Sequence, residues 1–261
     1  MTLSHTTGLT FSTGDGTSDA AIIFEGTLAD INAALDGLSF LGDSNFNGAA
    51  NIQITTDDLT LTSLNEDANL EGRYTFDDTG NLGNDDSVGG TNDGTVVGAE
   101  ATNDAERGDV LSFDGVDDYI QISGTFGDPA NLTLAAWVNL TAADIEGADV
   151  ISLGDNIGLR LDNPNGGSGV WAYFYDGTGW TNLASGQFVA GTGWHHIAYV
   201  FDDINDTHTI YIDGEIAASA VSTASISYSN GANTVIRAHG DGQLDYDFNG
   251  LMDDARIYSR A

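Results

Sequence analysis

The sequence predicts an all-β protein, a sandwich or jelly roll, with one short helix near its start. From about residue 70 onward, short apolar runs recur at roughly 8–12-residue spacing between Gly, Asn and Asp turns. Asp supplies 33 of the 40 acidic residues and there are 34 glycines, a composition that favours loops over helices. From about residue 70 onward no 3.6-residue apolar period is present, and only two prolines occur in the chain.

The first region, residues 1–62, reads as strand, strand, helix, strand. "GLTFST" and "AAIIFEG" are short apolar runs between turn residues. "GTLADINAALDGLSF" is the helix. Thr27 and Asp30 have the spacing of a capping box, Leu28, Ile31 and Leu35 share a face, and Gly37 closes it. "ANIQITTDD" alternates as a further strand. The motif "GTLADINAALDGLSF…NFNGAANIQITTDD" resembles the C-terminal part of the cadherin-like repeats of very large bacterial surface proteins, which implies a partial, Ig-like β domain with its first strands missing. A linker is expected at 63–70, and a chain that opens in mid-pattern is expected to be a piece of something longer.

In the second region, residues 71–261, the predicted strands are "DVLSFDG", "DYIQISG", "LTLAAWVNL", "ADVISLG", "IGLRLDN", "GVWAYFYDG", "GWTNLAS", "WHHIAYVFD", "HTIYIDGE", "NTVIRAHG" and "DARIYSR". The stretch "WHHIAYVFDDINDTHTIYIDGE", residues 194–215, raises a metal or general-base site, because it holds three histidines and four aspartates. Its period argues otherwise. Trp194, His196, Ala198 and Val200 fall on one face and His195, Ile197, Tyr199 and Phe201 on the other, so the adjacent histidines cannot share an ion. "DDINDT" is turn chemistry and "HTIYIDG" returns as the partner strand, so the stretch is a hairpin with its acids at the tip.

That hairpin resembles the "W-H-H-hydrophobic-A … Y-hydrophobic-D-G" hairpin of laminin-G-like, concanavalin A-type jelly rolls. "GRYTFDDTGNLGNDDSVGGTNDGTVVGA", "LSFDGVDDYIQI", "LTLAAWVN" and "FNGLMDDARIYSRA" follow the same family in order, across residues 71–261. The resemblance implies a concanavalin A-like jelly-roll β-sandwich. It does not by itself imply an activity, since that fold hosts lectins, enzymes and passive modules.

Charge restricts the partners. With 40 acids against six arginines and no lysine, the formal net charge is −34. Such a surface repels phosphate backbones and anionic lipid, which argues against nucleic acid and membrane partners. It attracts divalent cations, and Ca²⁺ is the expected cofactor. Cysteine is absent, which excludes disulfides, thiolate metal sites and a cysteine nucleophile. No secretory signal and no apolar run of ~18 residues is seen.

The loop "FDDTGNLGNDDSVGGTNDG", residues 76–94, is dense in hard oxygen donors but lacks the spacing and flanking helices of an EF-hand. In laminin-G-like proteins an equivalent loop and an Asp of the last strand meet at a calcium ion. The resemblance implies Asp77, Asp86, Ser87 and Asn92 as metal ligands, with Asp253 or Asp254 from "LMDDARIY". This chain departs from the family's loop by lacking the Asn after Ser-x-Gly. A second feature is "GVWAYFYDGTGWTNLA": Trp171, Tyr173 and Tyr175 share one strand face and Trp180 stands opposite Tyr175 after the turn. Flat rings beside Asn and Asp suit sugar stacking, but Ala172 and Phe174 are poor fillers beside the bulky trio, which favours the trio as the core face. The loops at 154–158 and 161–169 add Asp155, Asn156, Asp162 and Asn163 as candidate ligand contacts.

Enzyme signatures are absent: the seven glutamates are scattered, and no Glu-x-Asp-x-x-Glu, G-x-S-x-G or H-E-x-x-H pattern occurs. The expected function is therefore a non-catalytic, calcium-binding recognition module of a large extracellular RTX-type bacterial adhesin. It would bind a glycan or a cell-surface protein at the rim and sit among neighbouring domains of a longer chain. A calcium-binding spacer of a surface fibre and an accessory domain of a polysaccharide-degrading enzyme are the alternatives.

Overall fold

In the computed structural model, residues 1–42, 69–143, 146–162, 168–240 and 246–261 are described. The chain divides into two compact units, Met1–Thr60 and Leu61–Ala261.

In the first unit β1 (Thr10–Thr13) pairs antiparallel with β2 (Ile23–Glu25), with a register shift between Phe11 and Thr13. The helix α1 spans Leu28–Leu35. Thr27 is its N-cap: its hydroxyl accepts from the Asp30 N–H at 3.2 Å and donates to the Asp30 carboxylate at 2.6 Å, satisfying one of the helix's free donors. Gly37, at φ +89°, takes the left-handed position that ends the turn. The strand expected from "ANIQITTDD" lies outside the described residues.

The second unit contains β3 (Leu70–Tyr74), β4 (Gly94–Val97), β5 (Glu100–Asp104), β6 (Gly108–Asp114), β7 (Tyr119–Ser123), β8 (Leu132–Ala143), β9 (Ala148–Leu153), β10 (Ile157–Leu161), β11 (Trp171–Tyr175), β12 (Trp180–Ala184), β13 (His195–Asp202), β14 (Thr207–Ile212), β15 (Glu215–Val221), β16 (Asn233–Ile236) and β17 (Phe248–Tyr258). Among the described residues these form two antiparallel sheets. One runs β12-β11-β10-β9-β16-β7-β4; the other runs β15-β14-β13-β8-β17-β6-β5, with β3 also on β17. Apolar positions at period 2 fill the space between them: Leu134, Ala136 and Val138 of β8, Ile197, Tyr199 and Phe201 of β13, Ile157, Leu159 and Leu161 of β10, and Ala172 and Phe174 of β11. Phe174 and Phe201 meet across the sheets at 4.7 Å.

The 194–215 stretch is the expected hairpin of β13 and β14, registered Tyr199↔Ile210, and Asp213 and Gly214 adopt positive φ at its far turn. His196 faces away from the core and packs its ring on Trp137 at 5.3 Å. The strands β5 and β15 were not among those expected; β15 reads "EIAASAV", whose small residues carry almost no alternation.

The last strand organises the second sheet. One edge of β17 pairs with β8 along its length; the other pairs with β6 up to Met252 and with β3 from Ala255. At the changeover a bulge, with Asp254 at φ +47°, interrupts the register between Asp253 and Arg256. Met252, Ala255 and Ile257 remain in the core, and the two adjacent aspartates both reach partners on the outer side.

Candidate functional site

Strand β11 decides the geometry of the candidate ligand face. Because Ala172 and Phe174 belong to the core, the alternate residues Trp171, Tyr173 and Tyr175 face away from it. The aromatic trio is therefore not core filling. Trp180, 51% exposed on the edge strand β12, registers with Tyr175, and the two rings lie 4.9 Å apart at 46°. The cross-strand aromatic pair leaves an open ring surface at the sheet edge.

Inward from that edge the face becomes enclosed. Tyr173 is only 2% exposed. Its ring lies over Gly158, its register partner on β10, where a Cβ would come within 2.7 Å of the ring. Next to it Arg160, opposite Trp171, forms an ion pair with Asp149 of β9; both are buried, and Arg160 Nη2 lies 3.3 Å from Asp149 Oδ2. The guanidinium is 3.5 Å from the Tyr246 ring centre, 4.5 Å from Tyr173 and 5.0 Å from Trp171. Burial works against its charge, but the Asp149 carboxylate more than reverses that, and Arg160 stays protonated. His239 stacks on Tyr246 at 5.0 Å and its Nε2 lies 3.1 Å from Asp155 Oδ1. Two buried polar atoms in this cluster, Trp171 Nε1 and Tyr173 Oη, have no hydrogen-bond partner among the described residues. Burial pushes the Tyr173 hydroxyl pKa well up, so it keeps its proton.

The remaining expected ligand contacts divide. Asp155 joins this cluster through His239. Asn156 is fully buried; its amide donates to the carbonyls of Leu153 and Gly231 and its oxygen accepts from the Asn230 N–H at 2.7 Å. Asp162 is 4% exposed and accepts from the backbone N–H groups of Val189 and Ala190. Both residues therefore hold loops in place instead of presenting oxygens to a ligand, a correction to the sequence expectation. Asn163 lies outside the described residues.

The acid-rich loop and the last strand do meet, through an arginine. The Asp86 N–H donates to the Arg73 carbonyl at 2.7 Å, and Arg73 Nε lies 2.9 Å from Asp254 Oδ1. Asp254 also takes Arg256 Nη2 at 2.6 Å, and Asp253 takes Arg107 Nε at 2.6 Å. Three guanidinium groups thus occupy the positions where an ion was expected to neutralise these carboxylates. Within the loop, Asp86 is spent on the Thr75 N–H and hydroxyl and on the Asn84 amide; Ser87 donates to Asp85; the Asn92 amide donates to the Glu71 carbonyl; Asp77 is exposed.

Two residues that were not expected now stand out. Asp85, 5% exposed, accepts from the N–H groups of Arg73, Ser87 and Asn92 and from the Ser87 hydroxyl. Burial alone would raise its pKa; the Ser87 hydroxyl and these backbone donors outweigh it and hold the carboxyl below the usual range. Asp118 closes a cluster with Asp114 and Asp117 in which one oxygen of each lies within 4.8 Å of the others. Asp118 is 5% exposed and its pKa is raised by burial, while Asp114 and Asp117 are exposed. Gly98 makes room for it, since a Cβ there would overlap Asp118 Oδ1. An all-carboxylate set of this kind suits a hard divalent cation. Its signal was on view as "FDGVDD", three aspartates in five residues at the β6–β7 turn.

A family model described as the concanavalin A-like lectin/glucanases superfamily matches residues 114–261. No protein among the curated ones matches by sequence. Domain 4 of AbnA, a GH43 extracellular arabinanase from Geobacillus stearothermophilus solved with arabinotriose, aligns at TM-score 0.59 and 18% identity, covering 72% of this chain and 91% of that one. The binding domain of Paraclostridial Mosquitocidal Protein 1 aligns at TM-score 0.57 and 13% identity, covering 74% and 49%. Trypanosoma rangeli sialidase aligns at TM-score 0.51 and 18% identity, covering 74% and 31%. At these identities the likeness is one of fold.

Proposed function

The chain belongs to the concanavalin A-like lectin/glucanases superfamily, and from that premise we propose that residues 69–261 form a non-catalytic module that recognises a saccharide on the outward face of the seven-stranded sheet. One observation carries the reading: β11 turns Trp171, Tyr173 and Tyr175 away from the core, beside the exposed ring of Trp180. Aromatic faces stack on pyranose or furanose C–H groups, and polar groups beside them form hydrogen bonds with hydroxyls. The fold shared with an arabinanase domain solved with arabinotriose supports the same reading.

Calcium is the second part of the proposal. The Asp114, Asp117 and Asp118 carboxylates form the binding set, with backbone carbonyls and water completing the six to eight oxygens that the ion takes. The expected set of Asp77, Asp86, Ser87, Asn92, Asp253 and Asp254 is the weaker candidate, because most of its oxygens already serve N–H, hydroxyl or guanidinium donors. A net charge of −34 relieved by calcium is consistent with a place outside the cell, on an adhesin of the expected kind.

The test is binding to an immobilised oligosaccharide panel, with calcium present, for the wild-type chain and Trp180→Ala. Wild-type binding is expected, weakened about tenfold or more in the variant, as for an aromatic anchor. The melting temperature should barely move, since the ring is half exposed. A wild-type chain silent on every saccharide overturns the recognition reading and leaves a spacer.

A further inference from the structure

Among the described residues, Trp171 Nε1 and Tyr173 Oη have no hydrogen-bond partner, and their chemistry limits what could bind them. An indole N–H only donates, and the buried Tyr173 hydroxyl retains its proton and donates. Leaving two such groups buried without partners is costly, and the free protein gains nothing visible in return. Both belong to one cluster, with ring centres 6.0 Å apart. Both donors are sealed from solvent, so a ligand that engages them must enter beside the half-buried Trp171 and bring acceptor oxygens on an apolar ring.

Charge separates the two kinds of sugar that offer such oxygens. The Arg160 guanidinium is committed to Asp149, and His239 faces Asp155. No uncommitted positive group stands beside the two donors among the described residues of this cluster, and the molecule carries −34 overall. A carboxylate-bearing sugar would find no free cation to pair with here and would meet the field of a molecule carrying −34; a neutral one would meet neither obstacle. Resting on the saccharide-recognition reading above, we infer that the site takes a neutral saccharide whose acceptor oxygens engage Trp171 Nε1 and Tyr173 Oη, and that it discriminates against acidic sugars.

The inference has a signature that a purely structural role lacks. Removing the Tyr173 hydroxyl deletes an unsatisfied buried group in the free protein and a hydrogen bond in the complex. The full chain and its Tyr173→Phe and Trp171→Phe variants are titrated calorimetrically with arabinotriose, xylotriose, cellotriose and mannotriose, and with trigalacturonate and sialyllactose as acidic probes. The neutral probes are expected to contain the ligand. Each variant should bind it ~5- to 150-fold more weakly, the range for one lost hydrogen bond to a buried donor. Tyr173→Phe should melt at the wild-type temperature or above it. Three results overturn the inference: binding confined to the acidic probes, unchanged affinity in both variants while Trp180→Ala still loses binding, or a lowered melting temperature in Tyr173→Phe, which would mean a trapped water already serves the hydroxyl. Silence of the wild-type chain on all probes removes the recognition reading itself, and this inference with it.

Discussion

His208 shows what one buried imidazole does to a β-sandwich. It is 2% exposed on β14, stands edge-on to Phe174 at 5.6 Å, and meets the Tyr199 hydroxyl through Nδ1 at 3.1 Å. Burial, with no charged group contributing, depresses its pKa. The folded protein therefore holds the ring neutral at a pH where the unfolded chain has begun to protonate it. Its stabilising contribution is complete above the ordinary histidine pKa of about 6.5 and is lost as pH falls below that value. Urea midpoints measured from pH 7.5 down to about 5 should drop along this limb. In His208→Gln, which keeps a hydrogen-bonding group but cannot titrate, the drop should be shallower. Equal slopes for the two proteins would exclude His208 as its source.

At the level of elements, the loop between β3 and β4 has no sheet of its own to hold it, and Asp85 does that work with four accepted hydrogen bonds. Asp85→Asn turns one accepting oxygen into a donor facing N–H groups. It should cost about 1–3 kcal/mol, read as a lowered denaturation midpoint, and open residues 75–93 to limited proteolysis. Wild-type stability in this variant would show that the loop is held otherwise. The loop also marks where sequence reasoning stops. Alternation located most strands, because apolar residues at period 2 can be buried only one way, and it missed β15, whose Ala and Ser residues give no contrast. It placed Trp171, Tyr173 and Tyr175 on one face but favoured the wrong side for it, since the side depends on the facing sheet. It could not tell which of the neighbours Asp85 and Asp86 turns inward, because the donors that choose Asp85 include the Arg73 N–H, twelve residues away. The bulge at Asp254 was hidden for the same reason: "LMDDARIY" reads as an unbroken strand until β3 and β6 compete for one edge of β17.

For the molecule as a whole, charge is the dominant long-range quantity. With −34 spread over 261 residues, self-repulsion opposes the compact state, and simple salt should relieve part of it. The melting temperature is expected to rise between low salt and about 0.5 M NaCl, where the Debye length falls to a few ångströms. Calcium chloride at a few millimolar, with ionic strength matched, should raise it further by binding the folded form alone. Asp118→Asn should abolish the second increment and leave the first. Coincident melting curves with and without calcium at matched ionic strength would eliminate the specific site.

The pairing of β3 with β17 has one more consequence. Among the described residues these are the first and last strands of the second unit, they run antiparallel, and the Ser259 N–H donates to the Asn69 carbonyl at 2.8 Å. Asn69 and Ser259 thus lie side by side at one point of the unit, the arrangement that lets a domain be spliced into a loop of another or be circularly permuted. Tension drawn through those two residues would load the seam transversely, so its hydrogen bonds would part singly, like a zip, instead of yielding together.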